Sequence, residues 1–335
     1  MSRGRQEDLY RGSGVSRIFA ARMAFRRVSL RWKRYAFSAV LLAIFFFSLI
    51  TGAMSMYYAG AVIHPKQTKA PPINKNLAYP YYSVSFKSRD ETAQLYGWHF
   101  NARKTDCALI IVHGFGGNRF PFGADTLALI DAVIKIDFNV LVFDLRNSGS
   151  SEQGVSAFGL HEKNDVLGAI DYMRGAGYTQ IALLGLSTGA NAAAMAGAET
   201  AIEEVGALIL DSPIIDMRQF ILRLVNELNP GLPEFPFAYA VPMMVGLYLN
   251  GDVLDANVSR NLDIFLPRPV QLIHGNNDEI VSMADIISLY DAYMSRAVGQ
   301  ISIWNLPGAG HEGCFDYARD EYVERVTAFL RKVFL

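Results

Sequence analysis

Cysteine and histidine are scarce in this sequence. Cys107 and Cys314 are the two cysteines among 335 residues, and the six histidines are scattered without an H-E-x-x-H motif. A disulfide framework or a metal site needs more of these residues at closer spacing. The two cysteines are predicted near opposite ends of the strands, roughly 20 Å apart, whereas a disulfide needs Cα atoms within about 7 Å. We therefore predict no disulfide, no metal and no cofactor.

Net charge is also low, at −1 for the whole chain. This balance hides an asymmetry, because residues 1–34 contain ten lysines or arginines against two acidic residues. The remainder of the chain has an excess of acidic residues. A mildly acidic globular region does not have the charge pattern of a nucleic-acid-binding domain, so we predict no nucleic-acid partner.

Charged residues are absent between Tyr35 and Ile63. A helix from Tyr35 to Tyr57 would be roughly 34 Å long, enough to cross a bilayer core of about 30 Å. The lysines and arginines before it predict that the amino terminus lies in the cytosol. We therefore expect a single-pass membrane protein, with a basic cytosolic arm over 1–34, a transmembrane anchor over 35–63 and the following domain on the non-cytosolic side.

Other interpretations of this region stay open. A cleaved signal peptide could end near residues 59–61, although its charged part would be unusually long. An arginine-rich arm with few acids is also typical of an organelle transit peptide. Residues 18–32 form either a basic amphipathic helix on anionic lipid or a solvated flank. Residues 64–80 are rich in proline and lysine, and we expect a short stalk there.

From residue 81 onward, apolar runs of strand length alternate with helical stretches. Two opening strands are followed by predicted strands over 108–112, 139–143, 181–184, 207–210, 270–273 and 301–306. Predicted helices over 125–135, 162–174 and 190–196 lie between the earlier ones. This alternation predicts an α/β domain with a mostly parallel, doubly wound sheet.

The stretch from Gln180 to Asn191, QIALLGLSTGAN, is the point around which this pattern is organised. An apolar strand meets a helix of small residues at a G-x-S-x-G sequence, with Ser187 in its centre. A serine on such a turn is strained and stands clear of the sheet, so only small residues fit two positions away. Gly185 and Gly189 occupy those two positions. Taken alone, the motif also suits an ordinary strand-to-helix turn.

Three further segments at strand ends carry the groups that a serine nucleophile needs. An imidazole must take its proton, a carboxylate must hold the imidazole, and backbone N–H groups must bind the oxyanion. Asp278 follows one strand in HGNNDEIV, and His311 follows the next strand in GAGHEG. Upstream, another strand ends in the sequence HGFGG at residues 113–117. The four segments together favour nucleophilic catalysis.

With these motifs in the order Ser, acid, His, the sequence from about Tyr81 onward resembles the α/β-hydrolase superfamily, within its membrane-anchored serine esterase and lipase-like group. The segment DLRNSGSS at residues 144–151 is similar to the family's D-x-R-x-x-G-x-S segment. The resemblance implies an α/β-hydrolase domain over 81–335, with an eight-stranded sheet and a helical lid. It also implies that Ser187 is the nucleophile, His311 the base and Asp278 the orienting acid, with the backbone N–H groups of Phe115 and Thr188 as the oxyanion hole.

Rival acids are present in the sequence. Asp211 ends another strand, where some relatives carry their carboxylate, but a residue before Ser-Pro is also typical of a capped turn. Glu279 would replace Asp278 if the loop were shifted by one residue. His113 and His274 precede glycines at strand ends, and we expect structural roles for both.

The pattern of strands and helices changes between about 212 and 267, where three prolines interrupt an apolar helical stretch. Such an insertion is where the resembled fold commonly carries its lid, so we expect it to cover the active site. We predict that Phe235, Met243 and Met244 line an acyl pocket, because adaptable apolar side chains suit a flexible acyl chain. The alternative is that they pack the lid onto the core.

The resemblance and the predicted anchor together favour a serine hydrolase that cleaves acyl or lipid esters through an acyl-enzyme. Its expected partners are a small-molecule or lipid ester substrate and the membrane. An acyl thioesterase and an aminopeptidase-like serine peptidase are alternatives on the same fold. A non-catalytic, membrane-tethered binding module is a more distant one. The sequence does not define the oligomeric state.

Overall fold

The structure, a computed structural model, describes residues 8–73, 77–102, 105–294 and 296–335. In the first helix, side chains are described from residue 18 onward except at 28–30. The start of the predicted basic arm (1–7) and part of the predicted stalk (74–76) lie outside the described residues. Contacts within the chain divide it into two compact units after Met54.

The first unit, in its described part, is helix α1 (Asp8–Val62), which continues into the second unit. From Ile18 to Val62 this helix is long and apolar enough to cross a bilayer. A membrane anchor and an N-terminal signal sequence share that property. The predicted span, residues 35–63, coincides with the carboxyl-terminal half of α1.

The second unit is built on one sheet of eight strands, in the order β1-β2-β4-β3-β5-β6-β7-β8. The strands are β1 (Tyr81–Lys87), β2 (Gln94–Phe100), β3 (Cys107–Val112), β4 (Asn139–Asp144), β5 (Gln180–Leu186), β6 (Ala207–Asp211), β7 (Val270–Gly275) and β8 (Ile301–Leu306). The pairs β1–β2 and β2–β4 are antiparallel, and the other neighbouring strands are parallel. The predicted doubly wound, mostly parallel sheet is confirmed.

Helices connect the parallel strands and cover the sheet. They are α2 (Thr126–Ile134), α3 (Glu162–Gly175), α4 (Thr188–Ala198), α5 (Met217–Leu228), α6 (Glu234–Leu249), α7 (Val258–Phe265), α8 (Met283–Met294), α9 (Cys314–Tyr317) and α10 (Arg319–Phe334). Helices α8 and α10 lie in stretches for which the sequence pattern predicts no element.

The central strands are buried along their whole length, as in β3, β4, β6 and β7. A strand covered by helices on both faces needs apolar side chains on both faces, which explains the unbroken run CALIIV in β3. Because β3 and β5 to β8 run parallel, their carboxyl ends meet at one edge of the sheet. Ligands bind at this edge in open α/β sheets.

The insertion between β6 and β7 contains α5, α6 and α7. Asp216 begins α5, where its carboxylate accepts the backbone N–H groups of Arg218 and Gln219. Helix α6 buries one face and leaves a row of apolar side chains exposed. That row consists of Tyr239, Met243 and Leu247, spaced four residues apart, and Phe235 is exposed at a kink in the first turn.

The last turns of α1 and the segment after it belong to the second unit. The ring of Tyr58 lies edge-on to that of Phe237 in α6, with 6.5 Å between centroids, and its hydroxyl accepts a hydrogen bond from Asn229 at 2.6 Å. Farther along, the Thr68 hydroxyl donates to the Gly116 carbonyl at 3.0 Å. The described part of the predicted stalk therefore lies against the domain, because its polar side chains pair with loops at the sheet edge.

Candidate active site

The turn between β5 and α4 holds Ser187 in a strained conformation, with φ 51° and ψ −122°. A side chain at either flanking glycine would collide with backbone. A Cβ added at Gly185 would lie 2.6 Å from the Ala190 Cα, and one added at Gly189 would lie 2.2 Å from the His113 carbonyl oxygen. The close approach of three backbone segments thus requires glycine at both positions.

A continuous chain of hydrogen bonds joins the serine, the histidine and the aspartate. Ser187 Oγ lies 2.8 Å from His311 Nε2, and His311 Nδ1 lies 2.7 Å from Asp278 Oδ2. The other oxygen of Asp278 accepts the backbone N–H groups of Ile280 and Val281 at 2.7 and 2.9 Å. With the Nδ1 proton donated to the carboxylate, Nε2 is available to accept the serine proton.

The charges of the two partners shift each other's pKa. Burial acts to lower the pKa of His311, but the hydrogen bond and charge of Asp278 outweigh it and raise that pKa above its usual 6.5. Burial acts to raise the pKa of Asp278, but His311 and the two backbone N–H groups outweigh it and lower that pKa. Asp278 is therefore ionised at neutral pH, and His311 is a stronger base than a free imidazole.

Thr188 directly follows the serine in sequence, and Phe115 follows Gly114, whose added Cβ would lie 3.1 Å from the Ser187 Cβ. Within the described ranges, the backbone N–H groups of Phe115 and Thr188 are not paired with a protein acceptor, so both are available to bind an anion. The Phe115 ring stacks on Phe158, with 5.2 Å between centroids, and meets Phe220 of α5 edge-on at 6.0 Å. Phe115 in the loop after β3 thus carries both an unpaired backbone N–H and a ring that packs in an aromatic cluster.

Buried polar groups hold that loop in place. His113 is neutral, because burial lowers its pKa, and its Nε2 accepts the Leu145 N–H at 3.1 Å while Nδ1 pairs with the Gly114 carbonyl at 2.8 Å. The Asp144 carboxylate accepts the backbone N–H of Arg119 at 2.7 Å and pairs with its guanidinium. The D-x-R segment is therefore a support for the loop after β3.

The two rival acids lie in other arrangements. Asp211 accepts the hydroxyls of Tyr322 and Ser212, each at 3.0 Å, and burial raises its pKa to about 7. Glu279 is exposed and pairs with Arg223 at 3.1 Å. Asp278 is the acid that contacts His311, which agrees with its position in the sequence motif.

The predicted acyl-pocket residues are not part of this hydrogen-bonded group. Phe235 and Met243 are 74% and 63% exposed, and Met244 is partly buried. Met243 and Tyr239 line a surface cavity of about 370 Å³ together with Arg218, whose guanidinium stacks on the Tyr239 ring at 4.9 Å. Contact of Phe235, Met243 and Met244 with an acyl chain stays a prediction.

Sequence reasoning missed Glu312. This residue directly follows His311, has φ 53° and carries a buried carboxyl oxygen against Gly114. An acidic residue inside the glycine-rich sequence GAGHEG was the signal that could have found it. No candidate metal site is present in the part of the chain that the structure describes. No group of three or more His, Cys, Asp or Glu side chains there could hold an ion.

Comparison with known proteins agrees with this architecture. A family model described as alpha/beta hydrolase fold matches residues 108–250. The chain is 28% identical to protein YfhR of Salmonella typhi over 229 residues, which is 62% of this chain and 68% of YfhR.

Two solved structures are similar in fold. The Pyrococcus furiosus esterase Pf2001 superposes with a TM-score of 0.67 at 22% identity, over 82% of this chain and 99% of that one. Est1E of Butyrivibrio proteoclasticus, solved with ferulic acid, superposes with a TM-score of 0.55 at 19% identity, over 75% and 99% of the two chains.

Proposed function

Because this chain belongs to the α/β-hydrolase superfamily, we propose that it is a serine hydrolase that cleaves carboxylic esters of lipid or other acyl substrates. The observation that carries the proposal is the hydrogen-bonded chain from Ser187 through His311 to Asp278. The fold neighbour Pf2001 is described as an esterase, which supports an ester as the substrate.

The reaction follows from the geometry in two steps. Ser187 Oγ attacks the carbonyl carbon as its proton passes to His311 Nε2, and the carbonyl oxygen becomes an oxyanion held by the Phe115 and Thr188 N–H groups. His311 then gives the proton to the oxygen of the leaving group. The bond between the carbonyl carbon and this oxygen breaks, and an alcohol leaves. Water then attacks the acyl-enzyme with His311 as base, and the carboxylic acid and free Ser187 are released.

We also propose that this reaction takes place beside a membrane. Helix α1 is long and apolar enough to serve as an uncleaved anchor, and the basic arm before the span favours a cytosolic amino terminus. Catalysis would then occur on the non-cytosolic side, beside the membrane. The exposed apolar row on α6 supports a lipid ester as substrate, since such a row suits an apolar ligand or surface.

The test uses the full chain in detergent, treated with a fluorophosphonate probe and assayed with p-nitrophenyl esters of increasing chain length. Ser187→Ala should abolish labelling and lower kcat by about 10⁶-fold, because no other group can form the acyl-enzyme. Ser288→Ala is the matched control, since Ser288 lies on the exposed side of α8. A folded wild-type chain that neither labels nor hydrolyses any ester would overturn the proposal.

A further inference from the structure

The end of β6 carries a serine in a left-handed backbone conformation. Ser212 is fully buried and has φ 50°. A residue with a Cβ is strained in this conformation, and such strain persists only where the surrounding structure holds the residue in place. The groups that hold Ser212 belong to the segments that carry the proposed triad.

The hydroxyl of Ser212 joins two of these groups. It donates to Asp211 Oδ1 at 3.0 Å and accepts the backbone N–H of Glu312 at 3.2 Å. Asp211 is held in turn by the hydroxyl of Tyr322, which donates to its other oxygen at 3.0 Å. Glu312 directly follows His311 in the sequence. The loop that carries the imidazole is therefore tied to the end of β6 through one side-chain hydroxyl.

The backbone of the same dipeptide contacts the other two triad segments. The Asp211 carbonyl accepts the N–H of Ser187 at 2.9 Å, and the Ser212 N–H donates to the Ile273 carbonyl of β7 at 2.9 Å. Strand β7 continues into the turn that carries Asp278. The end of β6 thus makes a hydrogen bond to each of the segments that carry the nucleophile, the base and the acid.

The loop around the base needs support, because its sequence GAGHEG is rich in glycine and has high backbone freedom. On the amino-terminal side of His311, the Ala309 carbonyl accepts the N–H of Asn277 at 2.8 Å. On the carboxyl-terminal side, the Glu312 N–H is held by Ser212. Loss of the Ser212 hydroxyl would leave the backbone after His311 without this support.

We propose that Ser212 is a positioning residue for the base: its hydroxyl holds the backbone after His311 so that Nε2 faces Ser187 and Nδ1 faces Asp278. The inference rests on the proposed serine hydrolase reaction and adds a residue to it. Ser212 acts through His311 and transfers no proton itself. Because rates depend steeply on the alignment of reacting groups, even a small displacement of the imidazole should lower kcat.

Two substitutions in the full chain remove the hydroxyl. Ser212→Ala should lower kcat about 30-fold and change KM less than about 3-fold, because it displaces the base and leaves the groups that bind substrate in place. Ser212→Gly also lacks the hydroxyl, but glycine adopts a positive φ without strain. This variant should therefore fold at least as well as wild type and show a similar loss of kcat.

Ser88→Ala is the matched control. Ser88 is also buried, and its hydroxyl also donates to an aspartate, Asp90, and accepts a backbone N–H, that of Ala93. It follows β1, which is four strands away from β5 in the order of the sheet. The kcat of Ser88→Ala should stay within about 2-fold of wild type, because the same kind of hydrogen bond is lost far from the base.

The charges around His311 provide a second measurement. Burial acts to lower its pKa, but the hydrogen bond and charge of Asp278 outweigh burial, and the charges of Glu312 and Asp211 act in the same direction as Asp278. His274 of β7 lies 3.7 Å from Asp278, and burial lowers its own pKa. An imidazole displaced from Asp278 loses part of the largest raising effect, so its pKa should fall.

The acid limb of kcat/KM should therefore lie at lower pH in Ser212→Ala and Ser212→Gly than in wild type. A loss of stability elsewhere in the chain would not move this limb. Wild-type kcat in either folded variant overturns the inference, and so does a lower kcat with an unmoved acid limb. If Ser212→Ala does not fold, Ser212→Gly decides by the same two measurements.

Fluorophosphonate labelling keeps this result distinct from the parent proposal. Wild-type protein that labels at Ser187 and hydrolyses esters, with Ser212→Gly equally active, would leave the serine hydrolase intact and remove the role of Ser212. Wild-type protein that neither labels nor turns over would remove both.

Discussion

The sheet edge that carries the proposed catalytic residues and the insertion between β6 and β7, the proposed lid, use their side chains in opposite ways. At the edge, backbone segments approach so closely that Gly185 and Gly189 cannot carry a Cβ, and Ser187 and Asp278 are fixed by hydrogen bonds. On α6 of the lid, Tyr239, Met243 and Leu247 form an exposed row. The edge is complete without a ligand, whereas this face of the lid leaves Met243 and Leu247 exposed, with the Arg218 guanidinium over the Tyr239 ring.

This contrast separates two kinds of specificity. A site assembled from strand ends has its geometry fixed by the fold, so a single atom changed there should alter the rate strongly. The exposed apolar face of the lid can make contacts only with a bound substrate or a lipid surface. Substitutions on this face should therefore alter the preference between substrates more than kcat.

The largest effect is expected at Asp278. Asp278→Asn removes the charge that holds the Nδ1 proton and orients His311, so kcat should fall by about 10⁴-fold. Because the Asp278 carboxylate raises the pKa of His311, its removal should also shift the acid limb of the residual activity to lower pH. Steady-state rates from pH 5 to 9 measure both changes.

Asp211→Asn gives the comparison for that variant. Asp211 contacts Tyr322 and Ser212 instead of His311, so its replacement should lower kcat by less than about 10-fold. Equal losses of kcat in Asp278→Asn and Asp211→Asn would show that the hydrogen bond to His311 does not identify the catalytic acid.

Features set by local sequence could be predicted, whereas contacts between distant segments of the chain could not. The strands and the elbow were predictable, because strand period, chain order and the steric demand for glycine are all local. Glu312 was not, because its approach to Gly114 joins loops that are far apart in the chain and gives no periodic signal. The packing of Thr68 on Gly116 was missed for the same reason, since a segment rich in proline and lysine is also typical of a free linker.

The lid should show a smaller, substrate-dependent effect. Met243→Ser combined with Leu247→Ser removes apolar contact area from the exposed face of α6. Hydrolysis of a long-chain ester carried in lipid vesicles should fall about 10-fold, whereas that of a soluble butyrate ester should stay within about 2-fold. The measurement is the ratio of the two rates for the full chain in nanodiscs and in detergent.

Val298→Ser is the control for that pair, because Val298 is 76% exposed in the turn that follows α8. The same loss in the control would point to a general effect of surface polarity on lipid contact. An unchanged ratio in the double variant would mean that the exposed row meets no lipid, and the lid would then differ from the edge only in its packing.

The smallest effect concerns stability and pH at Asp211. Burial raises its folded-state pKa to about 7, whereas an unfolded aspartate has a pKa of about 3.9. The folded chain therefore holds a proton that the unfolded chain releases between those values, so this contribution to stability is present below about pH 4 and is lost as pH rises through 7. Asp211→Asn mimics the neutral acid at every pH, and the wild-type Tm should fall by about 5 °C more than that of the variant between pH 5 and 8.

Asp255→Asn in the lid is the counterpart, because Asp255 is exposed and pairs with Arg260 at the surface. Its Tm should follow the wild-type pH dependence closely, since a solvated carboxylate gains little from folding. Parallel curves for wild type and Asp211→Asn would mean that the strand end is hydrated enough to ionise freely. The edge would then owe its fixed geometry to backbone contacts and hydrogen bonds, and not to the exclusion of water.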